Sequence, residues 1–176
     1  MRYLFYTLLL FAGLLLSCSE NAGTDDHSSA DRDRTTVIYL SRHAEKAGGD
    51  DPELLPEGRA RADRLATRIG KNLDAVYATG YRRTQQTAAP AARAAGVRVR
   101  KYNAGKAASR MTERWRKRHR GDTILVVGHS NTVPDLLNAL VGEQRYTDLA
   151  AGEFSRLFRV TIDGRGTTSV EELSSD

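Results

Sequence analysis

Residues 35–41 read TTVIYLS, and Arg42 and His43 follow them directly. A short run that is rich in β-branched and apolar residues predicts a buried strand. Residues 123–127, TILVV, repeat the pattern, and His129 follows that run after a single glycine. In both places a histidine stands where a buried strand ends. This repetition predicts a parallel sheet whose strands carry polar groups at one edge.

Helical periodicity separates the predicted strands. In the first helix, which Pro56 opens, apolar residues recur at positions i, i+3, i+4 and i+7 up to Ile69. The predicted helices are residues 56–69, about 82–94, about 106–120, and a segment after His129. The further predicted strands are residues 73–78, 97–102 and 154–162, the last of them at an edge of the sheet. Pro90 is expected to kink the second helix or to end its regular part.

Strands that alternate with helices indicate an α/β domain. The expected architecture is a three-layer sandwich, with a mostly parallel sheet and helices on both of its faces. In such sheets, ligands bind at the carboxyl ends of the strands. Three polar segments follow strands directly and therefore share that edge: residues 41–46 (SRHAEK), 79–87 (TGYRRTQQT) and 126–131 (VVGHSN).

These segments bring two histidines and two arginines together. A neutral imidazole is a competent nucleophile near neutral pH. The planar guanidinium of arginine binds phosphate oxygens through several donors. Phosphoryl transfer spreads charge over three equatorial oxygens, which such a site holds without a metal ion. The residue types and their order therefore predict a site that handles phosphoryl groups and needs no cofactor.

The three segments resemble the motifs of the histidine phosphatase superfamily, which includes phosphoglycerate mutase. Its Arg-His-Gly motif corresponds to Arg42-His43-Ala44, and its second histidine motif to Gly128-His129. Its Ser-x-x-x-Arg-x-x-Gln-Thr segment corresponds to residues 79–87, with Thr79 in place of serine. The continuation Glu45-Lys46 resembles a small bacterial branch of this superfamily. The resemblance covers about residues 35–162 and implies the phosphoglycerate mutase-like fold.

The resemblance implies a role for each matching residue. His43 is the nucleophile that becomes phosphorylated, and Arg42 and Arg83 bind the phosphoryl oxygens. His129 completes the pocket and stabilises the group in transfer. At the start of the following helix, where backbone N–H groups are free, two more residues are expected to bind phosphate: Ser130 and Asn131.

The general acid of the family has no clear counterpart here. The stretch after the third strand, residues 103–106, reads NAGK and holds no carboxylate, and the position after the second histidine is Ser130. Glu45 is the tentative acid, whereas Glu113 is predicted to lie on a helix surface. Because a general acid contributes roughly 10²–10⁴ in rate, its absence favours substrates with good leaving groups. Phosphohistidine, acyl phosphates, pyrophosphates and aryl phosphates are such substrates.

The amino terminus predicts export. Arg2 precedes an almost wholly apolar stretch, Leu4 to Leu16, which is too short for a spanning helix. The single cysteine, Cys18, stands where the stretch ends, as in the lipobox of bacterial lipoproteins. Residues 1–17 are thus predicted to be a lipoprotein signal peptide. The alternatives are a plain signal peptide with a chance cysteine, or a membrane anchor that is retained.

The predicted organisation follows from this reading. Residues 18–34 form a flexible linker acylated at Cys18, residues 35–164 form the histidine phosphatase domain, and residues 165–176 form a polar tail. Such a protein would be lipid-anchored in the cell envelope, on the extracytoplasmic side of a bacterial membrane. The sequence carries no signal for a particular oligomeric state.

Composition limits the alternative functions. The formal net charge is +5, but no nucleic-acid-reading motif accompanies it, so nucleic acid is not an expected partner. The Lys and Arg cluster within residues 106–120 is predicted to face solvent, with anionic lipid or substrate as the alternative. The leading hypothesis is a phosphatase acting on a phosphomonoester or a more labile phosphoryl group, rather than a mutase.

Two further hypotheses remain. One is a catalytically weak lipoprotein that binds a phosphorylated ligand. The other is a metal site formed by His43, Glu45 and His129, whose spacing does not match a zinc motif.

Overall fold

The computed structural model describes residues 34–176. The predicted signal peptide, the lipidation site at Cys18 and all of the predicted linker except Arg34 lie outside the described residues. Within residues 34–176, none of the helices has the length and apolar character needed to cross a membrane.

Six strands and four helices form one α/β domain. Along the chain they are β1 (Thr36–Arg42), α1 (Pro56–Ile69), β2 (Ala75–Ala78), α2 (Arg82–Ala94), β3 (Val99–Lys101), α3 (Ala108–Arg118), β4 (Thr123–Gly128), α4 (Thr132–Val141), β5 (Arg156–Ile162) and β6 (Thr168–Ser174). The sheet order is β3-β2-β4-β1-β5-β6. The first four strands in this order are parallel, and β5 and β6 are antiparallel to their neighbours.

The two faces of the sheet are covered by different helix pairs. On one face, Trp115 of α3 and Leu137 of α4 pack with Ile38 of β1 in the larger apolar cluster. On the other face, Ala66 of α1 and Ala88 of α2 pack against β2 and β4. Burial of these apolar side chains removes apolar surface from water, which is the main favourable contribution to the free energy of folding. The predicted three-layer sandwich with a mostly parallel sheet is therefore confirmed.

The predicted polar tail is wrong, because β6 occupies most of it. Residues 168–174 pair with the whole length of β5, so the domain extends past residue 164 and β5 is not an edge strand. The sequence of β6 is mostly polar because an edge strand needs to bury only part of one face. Val170 supplies that buried contact, since it packs against the larger core cluster.

Pro90 lies inside α2, which continues to Ala94. The predicted extent of this helix is therefore confirmed, the proline does not end it, and the kink expected at Pro90 stays a prediction.

Strand pairing brings the two predicted histidine motifs together. β1 and β4 are parallel neighbours in a register that sets Arg42 opposite Gly128. The His43 backbone N–H donates to the Gly128 carbonyl at 2.9 Å. Gly128 is required at this point, because a Cβ there would lie 2.7 Å from Oγ1 of Thr132. The two histidines consequently leave adjacent strands at the same edge of the sheet.

Candidate functional site

His43 is fixed in one neutral tautomer. Its side chain is buried, and its Nδ1 lies 2.8 Å from the carbonyl oxygen of Ala44. A carbonyl only accepts, so Nδ1 carries the proton and Nε2 carries the lone pair. Burial lowers the pKa of His43 to about 4, against the opposing hydrogen bond to Ala44 and with help from the nearby charge of Arg83. The imidazole is therefore neutral at pH 7, in the state that a nucleophilic histidine requires.

His129 stands beside it, with 5.5 Å between the ring centroids. Its Nδ1 lies 3.4 Å from Nη2 of Arg83, which can only donate, so the proton of His129 is on Nε2. That N–H donates to Oγ1 of Thr79 at 2.9 Å. Burial, followed by the charges of Arg83 and Arg42, lowers the pKa of His129 to about 4.

A chain of hydroxyls continues from His129 into the interior. Oγ1 of Thr79 lies 2.8 Å from Oγ1 of Thr84, whose hydroxyl donates to the Tyr81 carbonyl at 2.8 Å. Since the His129 N–H points at Thr79, a single direction of donation satisfies all three groups. This chain holds the His129 ring with Nδ1 toward Arg83.

Arg42 is held by the loop before β5. Its Nη1 donates to the carbonyls of Ala150 and Ala151 at 2.7 and 3.1 Å. The guanidinium lies 4.5 Å from the ring centroid of Phe154, within cation–π range. Burial lowers the pKa of Arg42, and the charge of Glu153 opposes this shift. The guanidinium of Arg nevertheless stays charged in proteins, because its pKa is far above neutral.

Arg83 stands on the other side of the histidines, at the start of α2. Its guanidinium lies 4.3 Å from the ring centroid of Tyr81, and its Nη1 lies 3.8 Å from Oδ1 of Asp51. The Nε groups of both Arg83 and Arg42 are buried and have no hydrogen-bond partner among the described residues. Buried donors of this kind are costly unless an acceptor satisfies them. An oxyanion between the two arginines would do so.

Glu45 does not have the surroundings of an acid. Arg61 donates two hydrogen bonds to Oε1 of its carboxylate, from Nε at 2.9 Å and from Nη2 at 2.7 Å. Burial is the largest single effect and opposes ionisation of Glu45, but the hydrogen bonds from Arg61, a backbone hydrogen bond and the charges of Arg61 and Arg64 together lower its pKa. A carboxylate with a lowered pKa is a poor proton donor near neutral pH. These contacts argue against the acid role predicted for Glu45 and equally against its service as a metal ligand.

The two helix-start residues have different settings. Ser130 is half-buried, and its carbonyl accepts from the backbone N–H of Leu149 at 3.0 Å. Asn131 is exposed and precedes the first residue of α4. Both lie next to His129 in the chain, so they remain candidate phosphate contacts.

Sequence reasoning missed two aromatic residues of the site. Tyr81 meets the His129 ring edge to face, at 5.2 Å between centroids, and Phe154 lies 6.1 Å from the His43 ring. Tyr81 lies inside the predicted Thr79–Thr87 motif, so its place in the sequence could have indicated that it belongs to the site. Phe154 gave none, because it reaches the site from a loop more than a hundred residues along the chain from His43.

Part of the chain is similar in sequence to a known protein family. Residues 38–104 match the model of the histidine phosphatase superfamily (branch 1). No functionally curated protein has a significant match to the sequence.

Several solved structures share the fold. A phosphoserine phosphatase from Entamoeba histolytica superposes with a TM-score of 0.63 at 17% identity, over 80% of this chain and 98% of that one. A candidate phosphohistidine phosphatase, SixA, from Nakamurella multipartitia gives 0.60 at 21% identity, over 78% and 94%. Phosphoglycerate mutase from Plasmodium falciparum gives 0.60 at 16% identity, over 81% and 92%. Residues 38–104 are thus similar to the histidine phosphatase superfamily, and the domain shares its fold with these solved structures.

Proposed function

We propose that this protein is a metal-independent phosphatase that works through a phosphohistidine intermediate on His43. The observation that carries the proposal is the environment of the His43 Nε2. It holds a lone pair in a neutral imidazole, because Nδ1 donates to Ala44. On either side, Arg42 and Arg83 each keep a buried Nε with no protein acceptor among the described residues.

The reaction has two steps. His43 Nε2 attacks phosphorus, the Nε2–P bond forms, and the bond from phosphorus to the leaving oxygen or nitrogen breaks with its electron pair on the leaving group. The imidazolium charge that develops is stabilised by the Nδ1–H donation to the Ala44 carbonyl. Water then attacks phosphorus, breaks the Nε2–P bond, gives its proton to bulk solvent and releases inorganic phosphate. Arg42 and Arg83 bind the equatorial oxygens in both steps, and His129, whose Nδ1 accepts from Arg83, holds the Arg83 guanidinium in place.

The proton for the leaving group limits the substrate class. Glu45 is bound to Arg61, and Glu113, the other candidate carboxylate, pairs with Lys117 on the exposed surface of α3. An enzyme without a strong general acid acts best on leaving groups that depart without one. We therefore favour phosphohistidine, acyl phosphates, pyrophosphates and aryl phosphates. The structural similarity to a candidate phosphohistidine phosphatase supports this choice. The similarity to a phosphoserine phosphatase supports phosphomonoesters as a second substrate class.

Hydrolysis of p-nitrophenyl phosphate by the full chain in the presence of EDTA tests the activity. His43→Ala and His43→Asn should both reduce turnover to background, and the amide of Asn preserves a donor toward the Ala44 carbonyl. Arg110→Ala, on the exposed surface of α3, is the matched control and should keep full activity. Alkaline quenching with radiolabelled substrate should place the label on His43. Equal turnover in wild type and His43→Ala would refute the mechanism.

The second candidate function is binding of a phosphorylated ligand with little turnover. The lack of an identified general acid favours this function, because turnover would then be slow. In that case His43→Ala should retain most of the wild-type affinity for tungstate or phosphate, and the wild type should release no p-nitrophenol. Measured together, turnover and phosphate-analogue affinity separate the two functions.

We also propose that the protein is anchored in the cell envelope through acylated Cys18. Its position at the end of the Leu4–Leu16 stretch supports this. Metabolic labelling with a fatty acid should mark the wild type, whereas Cys18→Ser should remain unlabelled. Label on Cys18→Ser would refute the anchor.

A further inference from the structure

The edge of the sheet opposite the site forms a distinct surface, which we call the base face. Parallel strands begin at this edge, and the helices α1, α2, α3 and α4 end at it. The segments that form it are residue 34 and residues 68–74, 93–98, 116–122, 141–145 and 163–167. β1 has 7 residues, so the site lies about 20 Å away at the other end of the strands.

The base face is strongly basic. Its segments carry eleven Lys and Arg residues and four Asp and Glu residues. Six exposed cations lie at or just after the carboxyl ends of α1, α2 and α3: Arg68, Lys71, Arg93, Arg98, Lys117 and Arg118. Basic side chains at helix carboxyl termini interact favourably with the negative ends of the helix dipoles. Their number, however, gives this one face most of the positive charge that makes the chain basic.

Three of the four carboxylates on the base face are already bound within the domain. Asp74 accepts from the Thr123 backbone N–H at 2.8 Å, and Asp122 pairs with His119 at 2.8 Å. Asp163 accepts from the backbone N–H groups of Arg165 and Thr167 in the β5–β6 turn. These acids serve local structure and do not pair with the exposed cations named above.

The chain enters the domain through this same face. Arg34 packs against Gly121, where a Cβ would lie 3.2 Å from the Arg34 side chain. Arg34 also borders the groove that contains Arg116 and Lys117. Everything amino-terminal to residue 34, including the apolar stretch Leu4–Leu16, therefore joins the domain at the basic edge and not at the site.

We propose that the base face rests on an anionic lipid bilayer and directs the catalytic edge away from it. Two independent observations meet here, namely the charge of the face and the point at which the chain enters. Each Lys or Arg near an anionic surface strengthens binding by about 1 kcal/mol, or about fivefold. The orientation leaves the pocket open to substrates in the aqueous phase. The proposal does not depend on catalytic turnover.

Nucleic acid is the other polyanion that such a face attracts. The base face offers no exposed aromatic platform for bases, since the one large apolar side chain that is strongly exposed in the described residues is Tyr81, at the site. A bilayer requires only a broad basic surface. Binding to heparin and duplex DNA is therefore included in the test as a competing outcome.

Vesicle binding by charge-matched variants tests the proposal. The full chain is mixed with phosphatidylcholine vesicles and with vesicles that contain phosphatidylglycerol, and the ratio of the two partition constants is measured. The base variant is Lys71→Glu/Arg98→Glu/Arg118→Glu. The control variant, Lys101→Glu/Lys106→Glu/Arg110→Glu, changes the net charge equally on the opposite half of β3 and α3. Using the ratio removes the contribution of the apolar stretch Leu4–Leu16, which the two vesicle types share.

The base variant should lose its preference for anionic vesicles, by on the order of a hundredfold, while the control keeps most of it. Acetylation footprinting of the wild type on anionic vesicles should protect Lys71 and Lys117 but not Lys46 and Lys106. Equal losses in the two variants, or equal protection of the two lysine pairs, would overturn the proposal. So would an unchanged vesicle preference combined with loss of heparin or DNA binding in the base variant.

Discussion

At the scale of single residues, the proposed role of His43 as nucleophile predicts how activity depends on pH. Burial lowers the pKa of His43 and of His129 to about 4 in the free protein. Both side chains therefore stay neutral at pH values well below 6.5, the ordinary pKa of histidine. As pH falls, the nucleophile should persist until about pH 4. After correction for substrate ionisation, kcat/KM should lose activity near pH 4 and not near pH 6.5.

The charge of Arg83 provides a control for this pH profile. It contributes to the lowered pKa of both histidines. Arg83→Gln should therefore move the acid limb of kcat/KM toward higher pH, in addition to weakening phosphate binding. A limb that stays in place in this variant, or a wild-type limb near pH 6.5, would contradict the assigned protonation states.

Thr79 acts through His129. Its hydroxyl accepts the His129 Nε2–H, and a methyl group in its place would leave that buried donor unpaired. An unpaired buried donor costs about 1–3 kcal/mol, which corresponds to roughly ten- to hundredfold in kcat when the cost falls on the transition state. Thr79→Val should show this loss with little change in thermal stability, whereas Thr79→Ser, which keeps the hydroxyl, should remain near wild type. Equal activity of the two variants would exclude a positioning role.

At the scale of elements, the first turn of α1 contacts the chain just after β1. A Cβ on Gly58 would lie 2.2 Å from the Glu45 carbonyl oxygen, a contact that no rotamer change relieves. Gly58→Ala should lower the free energy of unfolding by about 1–3 kcal/mol. Gly80→Ala is the matched control, because a Cβ there has no heavy atom within 4 Å. Urea unfolding of both variants measures the difference, and equal midpoints would show that α1 shifts at little cost.

The β6 edge gives a second prediction at this scale. Val170 packs on the larger core cluster, whereas its neighbour Ser169 is exposed. Val170→Asp should destabilise the domain through burial of an unpaired charge, and Ser169→Asp should have little effect. Thermal unfolding of the two variants is the measurement. Equal melting temperatures would mean that β6 adds nothing to the stability of the domain.

These elements also show where sequence reasoning succeeded and where it failed. β1 and β4 were predictable because buried parallel strands are continuous apolar runs, and the chain order of His43, Arg83 and His129 then placed them at one edge. β6 was missed because an edge strand with one half-buried face has no such run. The Glu45–Arg61 pair was missed because it joins residues on different elements, which no local pattern encodes.

At the scale of the whole molecule, the buried histidines link folding to pH. In the folded state, His43 and His129 have pKa values of about 4, below the ordinary value near 6.5 of the unfolded chain. Between these pH values the unfolded state binds more protons, so protonation favours unfolding. The free energy of unfolding should be flat with respect to these two groups above about pH 7 and should fall as pH decreases from 6.5 toward 4.

Urea unfolding at a series of pH values measures this slope. His129→Gln removes one of the two groups, so its stability should depend less steeply on pH across the same window, whatever its stability at pH 7. A wild type whose stability is unchanged between pH 6.5 and pH 4.5 would contradict buried neutral histidines. Tungstate, an oxyanion that we expect to bind between Arg42 and Arg83, should stabilise the wild type more than it stabilises Arg83→Gln, because a ligand that binds only the folded state adds its binding free energy to folding. The site that the arginines shape for an anion would thereby appear in the stability of the entire domain.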